Sequence, residues 1–144
     1  MGNRIQAAIL VENHPYNVVA FQGMLDSFSD LRCFVQPIDL FVQDSISRDK
    51  YDVVLWYNMN WNPPAQGSVL RDYMEKSFGE CEQGVVFLHH ALLSFQGWDL
   101  FTDICGVSNR GGNAFQYHQN QTVYCRITRV LSNSQTSPGS IMCR

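Results

Sequence analysis

Apolar positions along this chain fall into two patterns: short runs without polar alternation, and stretches in which they recur every three or four residues. Runs of the first kind are Gln6–Glu12, Tyr51–Tyr57 and Gly84–Leu88. Rich in branched and aromatic residues, they predict strands buried on both faces, and the third has the look of a central strand. Leu31–Gln36 is less apolar and predicts a strand nearer an edge, closed by Pro37. Between these lie stretches of the second kind. Val18, Phe21, Leu25 and Phe28 share one helical face with Asn17 placed to cap it, and Leu70, Tyr73, Met74 and Phe78 form another stripe between Ser68 and Gly79. A third, Trp98, Phe101, Ile104 and Cys105, ends at Gly106. Ile38–Lys50 is less determined, since Asp39–Val42 fits either a helical turn or a loop folding back. From Thr122 the pattern changes. There Val123, Cys125 and Ile127 alternate with Tyr124, Arg126 and Thr128, predicting a half-exposed strand, antiparallel at the margin.

Strand and helix alternating at these lengths predict an α/β fold, with a mostly parallel central sheet, right-handed crossovers and helices on both sides. Residues 5–130 read as one unit without repeat or linker, and 131–144 as a polar, turn-rich and flexible tail. A chain of 144 residues, 45% hydrophobic, is long enough for one core. Ten Lys and Arg against thirteen Asp and Glu leave a net charge of -3 without a basic cluster, which argues against nucleic acid and anionic membranes as partners. No secretory signal or membrane-spanning run is visible, so a cytoplasmic protein is expected. Its five cysteines, Cys33, Cys81, Cys105, Cys125 and Cys143, form no CxxC pair and read as reduced.

Candidate chemistry gathers where the strands end. In open α/β sheets ligands bind outside the carboxyl ends of the strands, and the Gly84 run stops there on His89 and His90. His14 follows the first strand and His118 precedes the last. Imidazole binds divalent metals and exchanges protons near neutral pH, so these segments could bring a metal or acid/base site to one edge. Neighbours in an extended strand point to opposite faces, so His89 and His90 serve together only if the chain turns between them. Glu12, at the end of strand one, stands where a base or ligand would sit. Asp99 and Asp103 are explained by the helix dipole alone. Tyr57, Asn58, Trp61, Gln96, Trp98 and Tyr117 add rings and amides, the partners a polyol needs, although Trp98 fits a core equally well. GxGxxG, GxxxxGK[ST] and GxSxG motifs are absent, as is a cysteine at the strand-to-helix elbow.

Around Tyr51-Asp52-Val53-Val54, Gly84–Ala91, Phe95-Gln96-Gly97-Trp98, and Gly111-Gly112 leading to Tyr117-His118, the sequence resembles the trehalose-utilisation (ThuA-like) family of the class I glutamine-amidotransferase-like fold. The resemblance covers Ile5 to Thr128. It implies a three-layer, flavodoxin-like sandwich without the amidotransferase cysteine, and a role in sugar utilisation. The family's His-Pro segment and following Asp-Glu pair find no match in Arg129–Arg144, so the sheet edge and part of the site are expected to be incomplete there. The resulting expectation is a domain acting on a sugar derivative, as hydrolase, lyase or isomerase. His89, His90, His118 and Glu12 would be its catalytic groups. His14, Tyr57, Asn58, Trp61, Gln96, Trp98 and Tyr117 would contact substrate, and His89 with His118 would hold any divalent metal. The alternative is a non-catalytic sugar-binding or interaction module; a homo-oligomer is compatible with either.

Overall fold

A computed structural model describes residues 4–107. Four strands, β1 (Ile5–Glu12), β2 (Leu31–Gln36), β3 (Val53–Asn58) and β4 (Gly84–Phe87), form one all-parallel sheet in the order β2-β1-β3-β4. Strand residues alternate between faces, and the registers carry that alternation across the sheet. Ala8 stands opposite Val54 and Val54 opposite Val85, so these three share one face. That face, with Leu10 and Trp56, packs against α2 (Ile38–Gln43), α4 (Val69–Asp72) and α5 (Asp99–Cys105) through Ile38, Phe41, Leu70 and Phe101. Ala7 and Ile9 point the other way, onto Leu25 of α1 (Val18–Asp26). Helices on both faces make three layers, the α/β fold expected from the alternation and of the flavodoxin-like kind that the family resemblance implies.

Most of the core lies on the α2–α4–α5 side, where Trp56, Phe41 and Phe101 are at most 1% exposed. Full burial of a large apolar side chain contributes on the order of 1.5–3 kcal/mol, so this side dominates stability. Helix boundaries follow local chemistry. The Asn17 side chain accepts from the Ala20 N–H and that of Ser68 from the Arg71 N–H, while Gly106 ends α5 at φ 63. The undetermined stretch forms α2 and a single further turn, α3 (Ser45–Arg48), whose start is capped by Asp44.

Three details differ from the pattern. Among the described residues the inner strands are β1 and β3, and β4 pairs with β3 alone; the four consecutive fully buried residues are Ala7–Leu10 of β1. Apolar runs mark burial, which helices and loops can supply as well as neighbouring strands. In α1 the face is narrower than its spacing suggests, because Val18 lies at the open helix start and Phe28 beyond its end, both exposed. After α4 the helix widens into a π-turn over Tyr73–Ser77, with the Phe78 N–H donating to the Tyr73 carbonyl at 2.8 Å. This extra residue keeps Tyr73 and Met74 buried and brings Phe78 onto the same core. The expected strand at Thr122–Thr128, the tail at 131–144 and the C-terminal sheet edge lie outside the described residues.

Candidate functional site

At the carboxyl end of β4 the Leu88 N–H still donates to the Trp56 carbonyl, continuing the ladder. His89 then takes φ 57, and a 3₁₀ turn runs over His89–Leu93. Left-handed backbone at a residue with a Cβ stores on the order of 1 kcal/mol, and such residues collect at functional sites. Here it bends the chain between the two histidines, so that neighbours which would diverge on a strand meet, their rings in T-shaped contact with centroids 3.8 Å apart. β1 ends the same way. Asn13 takes φ 51, and His14, held before Pro15, swings across the end of β3 towards the β4 elbow.

Three imidazoles converge there. His14 Nε2 and His90 Nδ1 are hydrogen-bonded at 2.7 Å, donor and acceptor being set by the tautomer. The His89 ring stands edge-on to His14 at 5.2 Å, and one nitrogen from each of the three histidines lies within 4.8 Å of the others. The second nitrogen of His14, Nδ1, is buried without a hydrogen-bond partner. Tyr57, on the last turn of the β3 ladder, supports the cluster from beneath, 5.3 Å from His14, and is itself stacked on Phe21 of α1 and flanked by Tyr16. His89 is exposed overall, yet desolvation against its neighbours, and then the charge of His14, lower its pKa below the ordinary value. Desolvation, His89 and His14 in turn lower that of His90. Both rings are therefore held towards the neutral form that carries a free lone pair. With His14 they bring together three ring nitrogens that could hold a metal.

Glu12 belongs to a second arrangement. In strand alternation it falls on the face of Leu10, and its register partner Asn58 falls on the face of Trp56. Its Oε2 accepts from Asn60 Nδ2 at 2.7 Å, and Asn58 Nδ2 donates to Asn60 Oδ1 at 2.8 Å and to Ser94 Oγ at 3.2 Å. Ser94 Oγ also accepts from the Asn60 N–H, and the Phe95 and Gln96 N–H groups donate to the Asn60 and Trp61 carbonyls. The β3 loop and the turn after the 3₁₀ segment are thus pinned together by a buried polar network. The Glu12 carboxylate stands outside the group of three nitrogens.

No protein-family model, curated protein or solved structure matches this chain. The site therefore rests on its own geometry. That geometry unites His14, His89, His90 and Tyr57 from the expected set, with His14 bonded to His90 as part of the triad. Asn58 is 1% exposed and Trp98 8%, the latter packed in the core under the Arg71 guanidinium, so neither presents a surface to a ligand. Gln96 Nε2 donates to the Leu93 carbonyl and steadies the turn, while Trp61 is 52% exposed and available. His118 and Tyr117 lie outside the described residues. Asn60 and Ser94 escaped the sequence reading. The Asn58-x-Asn60 spacing was the available signal for the first, and a serine just after an apolar run the weaker signal for the second.

Proposed function

We propose that this chain binds a sugar derivative at the carboxyl edge of the sheet and acts on it through the His14–His89–His90 cluster, a divalent cation on the imidazoles forming part of the reading. The observation that carries it is the convergence of three histidines from two separated strand ends onto one spot. Neutral imidazoles beside Tyr57 can exchange a proton with a substrate hydroxyl or present a metal to a carbonyl oxygen. Exposed Trp61 offers the flat face against which sugar C–H groups pack, and the ThuA-like resemblance supplies the substrate class. The reading is of a cytosolic protein. In keeping with it, no helix among the described residues is long and apolar enough to cross a membrane, and Cys33 and Cys81 are free thiols.

Calorimetric titration with trehalose, glucose and a 3-keto glycoside, with NMR to follow any product, tests this reading. Saturable binding of one of them is expected, weakened at least tenfold in His14→Ala and in Trp61→Ala. Absence of binding to all three would refute it. A second reading, binding without turnover, is favoured by the Glu12 carboxylate being bound to Asn60 away from the imidazoles, which leaves the cluster without a carboxylate base. Binding with no product over prolonged incubation would select it.

A further inference from the structure

We infer that His14, His89 and His90 together hold one transition-metal ion of the zinc class. The inference deepens the reading above and rests on it only for what the ion would act upon. Its argument begins with the donors. The group contains three imidazoles and no carboxylate or thiolate. Magnesium and calcium take oxygen ligands, whereas neutral imidazole suits zinc, cobalt, nickel and copper.

Distances agree with this. Two nitrogens bound tetrahedrally at ~2.05 Å from one ion stand about 3.3 Å apart. The His14–His90 pair at 2.7 Å is too close for that by about 0.6 Å, as expected where a shared proton occupies the place of the cation. Insertion of an ion breaks that hydrogen bond and lets the two nitrogens part. The wider separations, none above 4.8 Å, close by rotation of His89, whose exposed side chain is free to move. One further observation points to a ligand. The left-handed backbone at His89 is what brings both neighbours to one point, and no packing demand for it is evident at an exposed residue.

His89 is shared with the His89–His118 pair expected from the sequence, and His118 lies outside the described residues. Cobalt(II) is the probe: chelator-treated protein is titrated with it, followed by the ligand-field absorption of tetrahedral cobalt, and zinc is measured by competition with a chromophoric chelator. One ion per chain is expected, with tetrahedral-type bands and no displacement by millimolar magnesium. His14→Ala should weaken binding by about a hundredfold or more, and so should His89→Gly, which relieves the backbone at that position and keeps the chain folded by circular dichroism. Failure to bind cobalt or zinc stoichiometrically, or undiminished binding in both His14→Ala and His89→Gly, would each overturn the inference. Sugar binding by a protein that takes up no ion would overturn it while leaving the sugar-binding part of the reading above intact; ion binding without sugar binding would do the reverse.

Discussion

Removal of the Ser94 hydroxyl is the sharpest test of the polar network that shapes the site loops. Ser94 is 0% exposed, and its Oγ accepts from Asn58 Nδ2 and from the Asn60 N–H, each at 3.2 Å, while lying 3.4 Å from the Asn58 carbonyl to which it donates. In Ser94→Ala the Asn58 amide keeps its bond to Asn60 Oδ1, but the Asn60 N–H loses its partner in a place water does not readily reach. A stranded buried donor costs about 1–3 kcal/mol and the lost net bond about 1 more, so a destabilisation of about 2–4 kcal/mol is expected. At about 3 kcal/mol the folding constant falls by roughly two orders of magnitude. Ser27→Ala is the matched control: its hydroxyl donates to the Met24 carbonyl at 2.6 Å on the surface, where water substitutes, and its loss should stay within about 0.5 kcal/mol. Urea unfolding of the two variants, with unchanged denaturant slope, reads the difference directly. Equal midpoints for Ser94→Ala and Ser27→Ala would refute the view that this network holds the β3 loop against the turn at residues 94–96.

Other expectations follow from the same structure. Because the folded-state pKa values of His89 and His90 lie below 6.5, the unfolded chain takes up protons first on acidification. Stability is thus full above pH 6.5 and lost as pH falls through the depressed values; denaturation at pH 7.5 and 5.5 should show a larger acid loss in wild type than in a His89→Gly/His90→Gln variant. Phe101→Ala, at 0% exposure among Trp56, Phe87 and Phe95, should cost about 3–5 kcal/mol, whereas Val19→Ala, at 83% exposure, should stay within about 0.5 kcal/mol by the same unfolding assay. Asn17→Ala should cost about 1 kcal/mol, measured as a lowered thermal midpoint, through loss of the acceptor for the Ala20 N–H.

The sheet was legible because apolar neighbours on both faces write themselves as unbroken apolar sequence: Ala7–Leu10, buried throughout, and Val53–Trp56, buried or half-buried in alternation, can hardly be anything else. Caps were legible for the same local reason, Asn17 and Ser68 being the residues a helix start requires. What stayed hidden depends on backbone angles and on neighbours far along the chain. Nothing in His89-His90 announces a left-handed residue, since glycine is its usual mark, and an extended strand would have separated the two rings. The π-turn at Tyr73–Ser77 likewise leaves a helical stripe that reads as ordinary α-helix. Glu12 was placed correctly along the chain, yet its side of the sheet is fixed by Asn60, a partner 48 residues away. His14 was recognised as an edge residue, but its bond to His90 spans 76 residues and needs β3 between the two strands to set the distance.

That last arrangement gives the site a mechanical character. His14 hangs from β1 and the adjacent pair from β4, with β3 lying between them as a spacer, so the three rings act as the jaws of a caliper closed across one strand. One jaw carries two donors on a single hinge and the other carries one. Slip or splaying of β4 against β3 would open the jaws. The pairing begins at Val53 opposite Gly84, where an added methyl would meet Val53 Cγ2 at 3.3 Å. The distance between the His14 and His90 rings is therefore a strain gauge for the sheet itself, and spectroscopic signals from those rings would report movements of strands at the far end of the ladder.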